Sequence, residues 1–337
     1  MYRSGGKRGP LSAYNLTMRT LAHPRTLARR PVRALLAQWP LALADEVEGI
    51  HQARVASRRL RELVPAVARR RDAREARALR RAARDVTRLL GRSRELDVAL
   101  ETLLAIEARA PDHGVAAAEV RAHVVRERAQ AGRDVRDHVT AVDLNGLAAG
   151  TIVLAGRSES PAAIRSCARR VSARLGRRAR ELEHAVVRAG LIFAPGPLHS
   201  VRIALKKFRY ALEVAERLGR FRLVGSMRRL KRLQNLLGEL HDLQVLGGLA
   251  RDVMAQAPAS RRREIESLVT RIDDEIRALH SQFLVERETI VALLARATWV
   301  RRTLVALPPP SDLAARSAAR ATAGLAAGAR RATVEGR

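Results

Sequence analysis

The stretch His51-Gln52-Ala53-Arg54-Val55-Ala56-Ser57-Arg58-Arg59-Leu60-Arg61 returns 148 positions later as His199-Ser200-Val201-Arg202-Ile203-Ala204-Leu205-Lys206-Lys207-Phe208-Arg209. A second stretch, Leu89-Leu90-Gly91-Arg92-Ser93-Arg94-Glu95-Leu96-Asp97-Val98, returns at an offset of 147 as Leu236-Leu237-Gly238-Glu239-Leu240-His241-Asp242-Leu243-Gln244-Val245. Two anchors that keep one offset to within a residue mark an internal duplication. The chain must therefore fold as two related units, each with its own apolar faces to bury.

The units are helical. Ala, Leu, Arg and Glu dominate, β-branched runs are scarce, and apolar residues recur at three- and four-residue steps. The pattern predicts a short helix over 32–39, one over 47–68 with Asp45 as N-cap and Pro65 inside it, one over 74–108 broken near Gly91, and one over 114–140. It restarts over 161–189, 197–218, 223–255 and 260–297. The expected fold is all-α, with a first helical repeat at 21–140 and a second at 161–297. Between them 141–160, with Gly146, Gly150, Gly156 and a Ser-Glu-Ser-Pro end, reads as a weakly structured linker. Residues 1–20 read as a basic flexible N-terminus and 298–337 as a disordered Ala/Arg-rich tail.

Charge sets what such a fold is for. Lys and Arg number 64 against 34 Asp and Glu, a formal net charge of +30, and only four of the basic residues are lysine. An excess of this size calls for an anionic partner. The single cysteine, Cys167, excludes a disulfide scaffold. No apolar run approaches the roughly 20 residues of a membrane-spanning helix, so a cytoplasmic protein without a membrane partner is expected. Aromatic residues make up only 3% of the chain, few platforms for stacking unpaired bases.

The repeated motif concentrates the charge. On a helical wheel His51, Arg54, Arg58 and Arg61 share one side, with Ala56, Leu60, Leu63 and Val67 opposite. His199, Arg202, Lys206 and Arg209 are placed likewise against Ala204, Phe208, Ala211 and Leu212. Arg59 and Lys207 flank the two ladders. Solvated helices ordinarily interleave acids with bases at four-residue spacing, yet no acid falls between His51 and Arg61 or between His199 and Arg209. The helices leading into the second anchor add Arg80, Arg81, Arg84 and Arg88 in one copy and Arg228, Arg229, Lys231 and Arg232 in the other.

These motifs, H-x-x-R-V-A-x-R-R-L-R with L-G-x-x-R-E-L-D-V, then H-x-x-R-x-A-x-K-K-x-R-Y with L-G-E-L-H-D-L, resemble the CHAD family, the conserved histidine α-helical domain. The resemblance runs from about residue 20 to about 295. It implies two four-helix bundles related by pseudo-twofold symmetry, with a basic groove or pore between them that binds inorganic polyphosphate; attachment to polyphosphate granules, storage and regulation are all open as the use of that binding. Carried over by position, it implicates His51, Arg54, Arg58, Arg59, Arg61 and Arg94 in the first copy. In the second it implicates His199, Arg202, Lys206, Lys207, Arg209, Tyr210 and His241. Arg84, Arg88 and Lys231 join them as basic residues of the same surface. Glu95 stands where the family usually has Asp.

Such a site needs no cofactor, no metal and no catalytic residue. Arginine forks match phosphate oxygens bidentately and lysine acts as a point charge. Crowded cations should keep His51 and His199 neutral until a polyanion arrives, so binding should weaken with salt and tighten as the pH falls through about 6.5. Glu95 and Asp242 read as partners that orient nearby arginines. Two other readings stand beside this one: a generic binder of nucleic acid or another polyanion, and a metal-dependent phosphohydrolase of the HD type built from His199, His241, Asp242 and Asp273 or Asp274.

Overall fold

Apolar side chains spaced for helices are buried as helices throughout the computed structural model of the protein, which describes residues 20–310. Ten helices follow one another: α1 (Pro24–Leu43), α2 (Val47–Val67), α3 (Ala73–Leu89), α4 (Gly91–Arg109), α5 (Gly114–His138), α6 (Leu144–Gly156), α7 (Pro161–Ala189), α8 (Pro195–Leu218), α9 (Val224–Gln256) and α10 (Ala259–Ala306). The fold is all-α, and there is no strand among the described residues.

Helix contacts fall into two groups. In one, α1 and α2 pair, and α3 and α6 pack on them; in the other, α7 pairs with α8 and α9 with α10, while α7 also packs on α10. The α4–α5 hairpin crosses between the groups and packs on α9 and α10. The helices that carry the repeated motifs meet: α2 touches α8, and α4 touches α9.

The apolar sides drawn from the wheel are the buried ones. Ala56, Leu60, Leu63 and Val67 of α2 are at most 2% exposed, and Ala204, Phe208, Ala211 and Leu212 of α8 are buried too. Beneath the ladders Glu62 is also buried, and it accepts hydrogen bonds from Arg174 Nε at 2.8 Å and Arg178 Nη2 at 2.7 Å on α7. This cross-group clamp fixes α2 against α7, and with it the direction in which the cationic ladder points.

Three expectations need correction. Residues 141–160 are no weak linker, because α6 occupies most of them; Asp143 caps it by accepting from the Gly146 N–H at 2.7 Å. Gly150 is needed for close packing, since a Cβ there would lie 2.8 Å from Leu79 Cδ2 of α3. A glycine that read as loop punctuation thus lets α6 approach α3. At the other end α10 continues to Ala306, and Val300 and Leu304 are fully buried, so 298–306 belongs to the core rather than to a tail. The rest of that tail, from 311 on, and the N-terminal 1–19 lie outside the described residues. Asp45 is not the N-cap of α2. Its backbone is left-handed with φ 64°, and its carboxylate pairs with Arg128 at 2.8 Å, while Glu46 takes the cap position without a side-chain cap.

Prolines mislead at the first helix. Pro31 and Pro40 both lie inside α1, which begins eight residues before the expected start, with Pro24 in its first turn. Proline in a helix interior costs about 3 kcal/mol, and buried Leu27, Val32 and Leu35 supply the packing that offsets it.

Candidate functional site

Because α2 meets α8 and α4 meets α9, both copies of both motifs converge on one seam. A cleft of about 770 Å³ opens there. His51, Arg54 and Arg58 enter it from α2, Arg94 from α4, Arg202 and Lys206 from α8, and His241 from α9. One turn of helix separates each ladder member from the next, so the cleft is faced by two rows of cations and backed by the apolar sides of the same helices.

Burial makes these cations costly in the free protein. Desolvation lowers the Lys206 ammonium to a pKa of about 6, helped by the guanidiniums of Arg202 and Arg58. Arg54 is lowered to about 10, again by burial first and Arg58 second. Its Nη1 donates to the Thr87 carbonyl at 2.6 Å at the end of α3, passing Gly91, where a Cβ would sit 3.4 Å from that nitrogen. His241 falls to about 3 through burial and the nearby Arg202 and His199. His51 and His199 are lowered as well, each by burial first, then by Arg94 and Arg202 respectively. Both shifts favour the neutral imidazole in the free protein, with desolvation ahead of the crowding of cations as the cause.

Acids neutralise this set only in part. Asp242 approaches Arg202 Nη2 at 3.8 Å, beyond hydrogen-bond distance, and the Arg202 Nε is buried without a partner. Burial raises the Asp242 pKa. Glu101 pairs with Arg94 at 3.1 Å, and Glu95 pairs with Arg92 of its own helix at 3.2 Å rather than with an arginine of the cleft.

The remaining basic residues named from the sequence do not line the cleft. Arg59 turns to the buried carboxylate of Glu213 on α8, 3.1 Å away, and Arg209 shares that carboxylate at 3.7 Å while its guanidinium lies 4.9 Å above the Tyr210 ring. Tyr210 is buried. A step of one residue turns a helical side chain by about 100°, which takes Arg59 off the ladder and into the α2–α8 contact. Arg61 is half-buried on the side of Arg84 and Arg80, and Arg84, Arg88 and Lys231 are exposed, with Arg88 3.9 Å from Asp85. Lys207 is half-buried outside the cleft. His199 lines a neighbouring pocket, and its ring lies 5.0 Å from that of His241 at a tilt of 41°.

Sequence spacing left aside several polar residues of the cleft, among them Glu101, Arg109, Gln234 and Asn235. The signal was present on α4, where Arg94, Val98, Glu101, Ala105 and Arg109 recur at steps of three and four along one face. Arg109 is tied to Glu275 at 2.9 Å, which closes that end of the cleft with a neutral pair. Of the residues considered for an HD-type centre, both aspartates of α10 are held in ion pairs. Asp273 pairs with Arg251 at 2.6 Å, Asp274 pairs with Arg277, and among the described residues no three His, Cys, Asp or Glu side chains are grouped to hold a metal ion.

As a class, this is an all-α protein in which paired helical motifs present desolvated cations to one cleft. Residues 26–251 match the family model of the CHAD domain, and the chain belongs to that family. Two solved structures are similar to it. One is PptA from Streptomyces chartreusis, 20% identical, covering 80% of this chain and 99% of that one at a TM-score of 0.59. The other is the CHAD domain from the plant Ricinus communis, 23% identical, covering 90% of this chain and 99% of that one at a TM-score of 0.53. At these identities the likeness is one of fold. No curated protein matches the chain.

Proposed function

We propose that the cleft binds inorganic polyphosphate without cleaving it, and that the protein acts in the cytoplasm, on polyphosphate granules where these form. The observation that carries this reading is the convergence of Arg54 and Arg58 with Arg202 and Lys206 on one cleft, where no carboxylate lies within hydrogen-bond distance of them. A buried cation without a counter-ion costs stability, and a ligand rich in negative oxygens removes that cost on binding. Membership of a family known in polyphosphate-related proteins supports the same ligand. A linear phosphate polymer offers charge at regular steps with no base to read and no ring to stack on, matching two ladders of cations with no Phe, Tyr or Trp among the cleft's lining residues.

A competition experiment separates polyphosphate from nucleic acid. With labelled long-chain polyphosphate bound, unlabelled polyphosphate should displace it, and duplex DNA at equal phosphate concentration should not. Equal displacement by DNA would mean that generic attraction to phosphate backbones explains the binding.

A further inference from the structure

The second motif copy keeps an opening where the first is closed by ions. In the first copy Arg128 of α5 joins Asp97 of α4 to Asp45 at the α1–α2 turn, and its side chain fills the space between them. The duplication offset identifies the counterparts. Buried Ala117, Val120, Val124, Ala131 and Val135 of α5 recur 148 positions on as buried Ile265, Leu268, Ile272, Leu279 and Phe283 of α10. By the same offset Arg128 corresponds to Ile276 and Asp45 to Phe193, and by the motif's own offset of 147 Asp97 corresponds to Gln244. All three charges are gone, and a pocket of about 720 Å³ lies where the second copy has Phe193, Gln244 and Ile276.

The pocket adjoins the cationic cleft. His241 lines both, and the ring of His199 on the pocket side leans on that of His241. Phe193 is held by an edge contact with buried His280, 5.3 Å between ring centroids. Gln244 lines the wall, and its buried Nε2 has no hydrogen-bond partner. Asp273, oriented by Arg251, keeps acceptor capacity for further donors. An unpaired buried amide beside aromatic rings is what a flat heteroatom-bearing ring would satisfy.

We propose that this pocket takes the base and sugar of a nucleoside oligophosphate whose phosphates run past His199 and His241 into the cleft. The base stacks against Phe193 and His199 and accepts from Gln244, while Asp273 accepts from a sugar hydroxyl. This rests on the reading of the cleft as a phosphate site and extends it from the bare polymer to phosphate chains with an organic cap.

Adenosine triphosphate and inorganic tripolyphosphate carry the same number of phosphates, and the inorganic chain carries more charge, so charge alone favours tripolyphosphate. Calorimetry should instead show adenosine triphosphate binding about tenfold more tightly, as stacking and the amide hydrogen bond contribute. Gln244→Leu and Phe193→Ala, each checked by circular dichroism and melting, should reduce that preference to twofold or less and leave tripolyphosphate affinity within twofold of the parent. Saturation-transfer NMR on the parent protein should label the adenine protons, a readout independent of any variant. The inference is overturned if the parent shows no preference, if the adenine protons take up no saturation, or if both folded variants keep the full preference. Tripolyphosphate binding without a preference sinks this inference alone, whereas failure of both ligands to bind sinks the cleft reading with it.

Discussion

Arg202 and Asp242 stand 3.8 Å apart across the α8–α9 wall of the cleft, and they do not close into a hydrogen bond. Asp242 therefore tempers the field of the cleft without cancelling it. Asp242→Asn should raise polyphosphate affinity about two- to fivefold at 0.15 M salt and, because burial raises the Asp242 pKa and so penalises its ionised form, should leave the stability of the free protein unchanged or slightly higher. Parallel calorimetry and denaturant melts of the two proteins check both halves. Unchanged affinity would mean that Asp242 lies off the path of the ligand.

The pH dependence follows from Lys206. Its pKa of about 6 in the folded protein lies well below the ordinary lysine range. A lowered lysine adds its full stability only above the unfolded pKa, and that stability is lost as the pH falls toward the folded value. The lowered histidines act in the same direction below their ordinary value of 6.5. Bound phosphates reverse the preference, so binding near neutral pH should take up a proton and tighten about tenfold from pH 8 to pH 6. Calorimetry in buffers of different ionisation enthalpy reads the uptake. Lys206→Arg should keep the affinity and lose most of the uptake, and Lys206→Met should stabilise the free protein by about 1–3 kcal/mol, since the amine's partial access to the cleft limits the full penalty.

Glu62 tests the scaffold apart from the ligand. With Arg174 and Arg178 buried against it, Glu62→Gln leaves two guanidiniums short of a counter-charge and should cost about 3 kcal/mol in urea unfolding. Polyphosphate affinity of the folded fraction should change less than threefold. A stable variant would show that water replaces the carboxylate.

Position relative to the cleft sorts the basic residues. Arg88→Ala and Lys231→Ala, on exposed faces, should each change affinity less than twofold at 0.15 M salt, whereas Arg58→Ala should cost at least tenfold. Fluorescence titration with polyphosphate of one defined length gives all three values. Equal losses at all three positions would indicate a diffuse electrostatic surface instead of a site.

Helices and ladders were legible because period and charge agree. The expected bounds of α7 match at both ends, and the apolar faces of α2 and α8 are those of the wheel. The failures share a cause: glycine and proline were read by local preference where packing decides. Gly150 admits Leu79, and Pro31 is buried with Leu35, so α6 and the first half of α1 form against the local preference of their residues. At the site, spacing finds the cations of α2 and α8 and sets Arg59 beside the ladder rather than on it, but it does not distinguish a ligand-facing role for Arg59 from a structural one. That distinction depends on Glu213, which lies 154 residues further along the chain.

The most direct measurement is polyphosphate affinity of the fourfold variant Arg54→Ala, Arg58→Ala, Arg202→Ala and Lys206→Ala, with circular dichroism and melting run alongside. Removing these half-buried groups, none of which hydrogen-bonds a carboxylate, should leave the helical fold at least as stable as the parent and weaken binding by at least 100-fold at 0.15 M salt. A folded variant that binds polyphosphate as the parent does would contradict the assignment of the cleft.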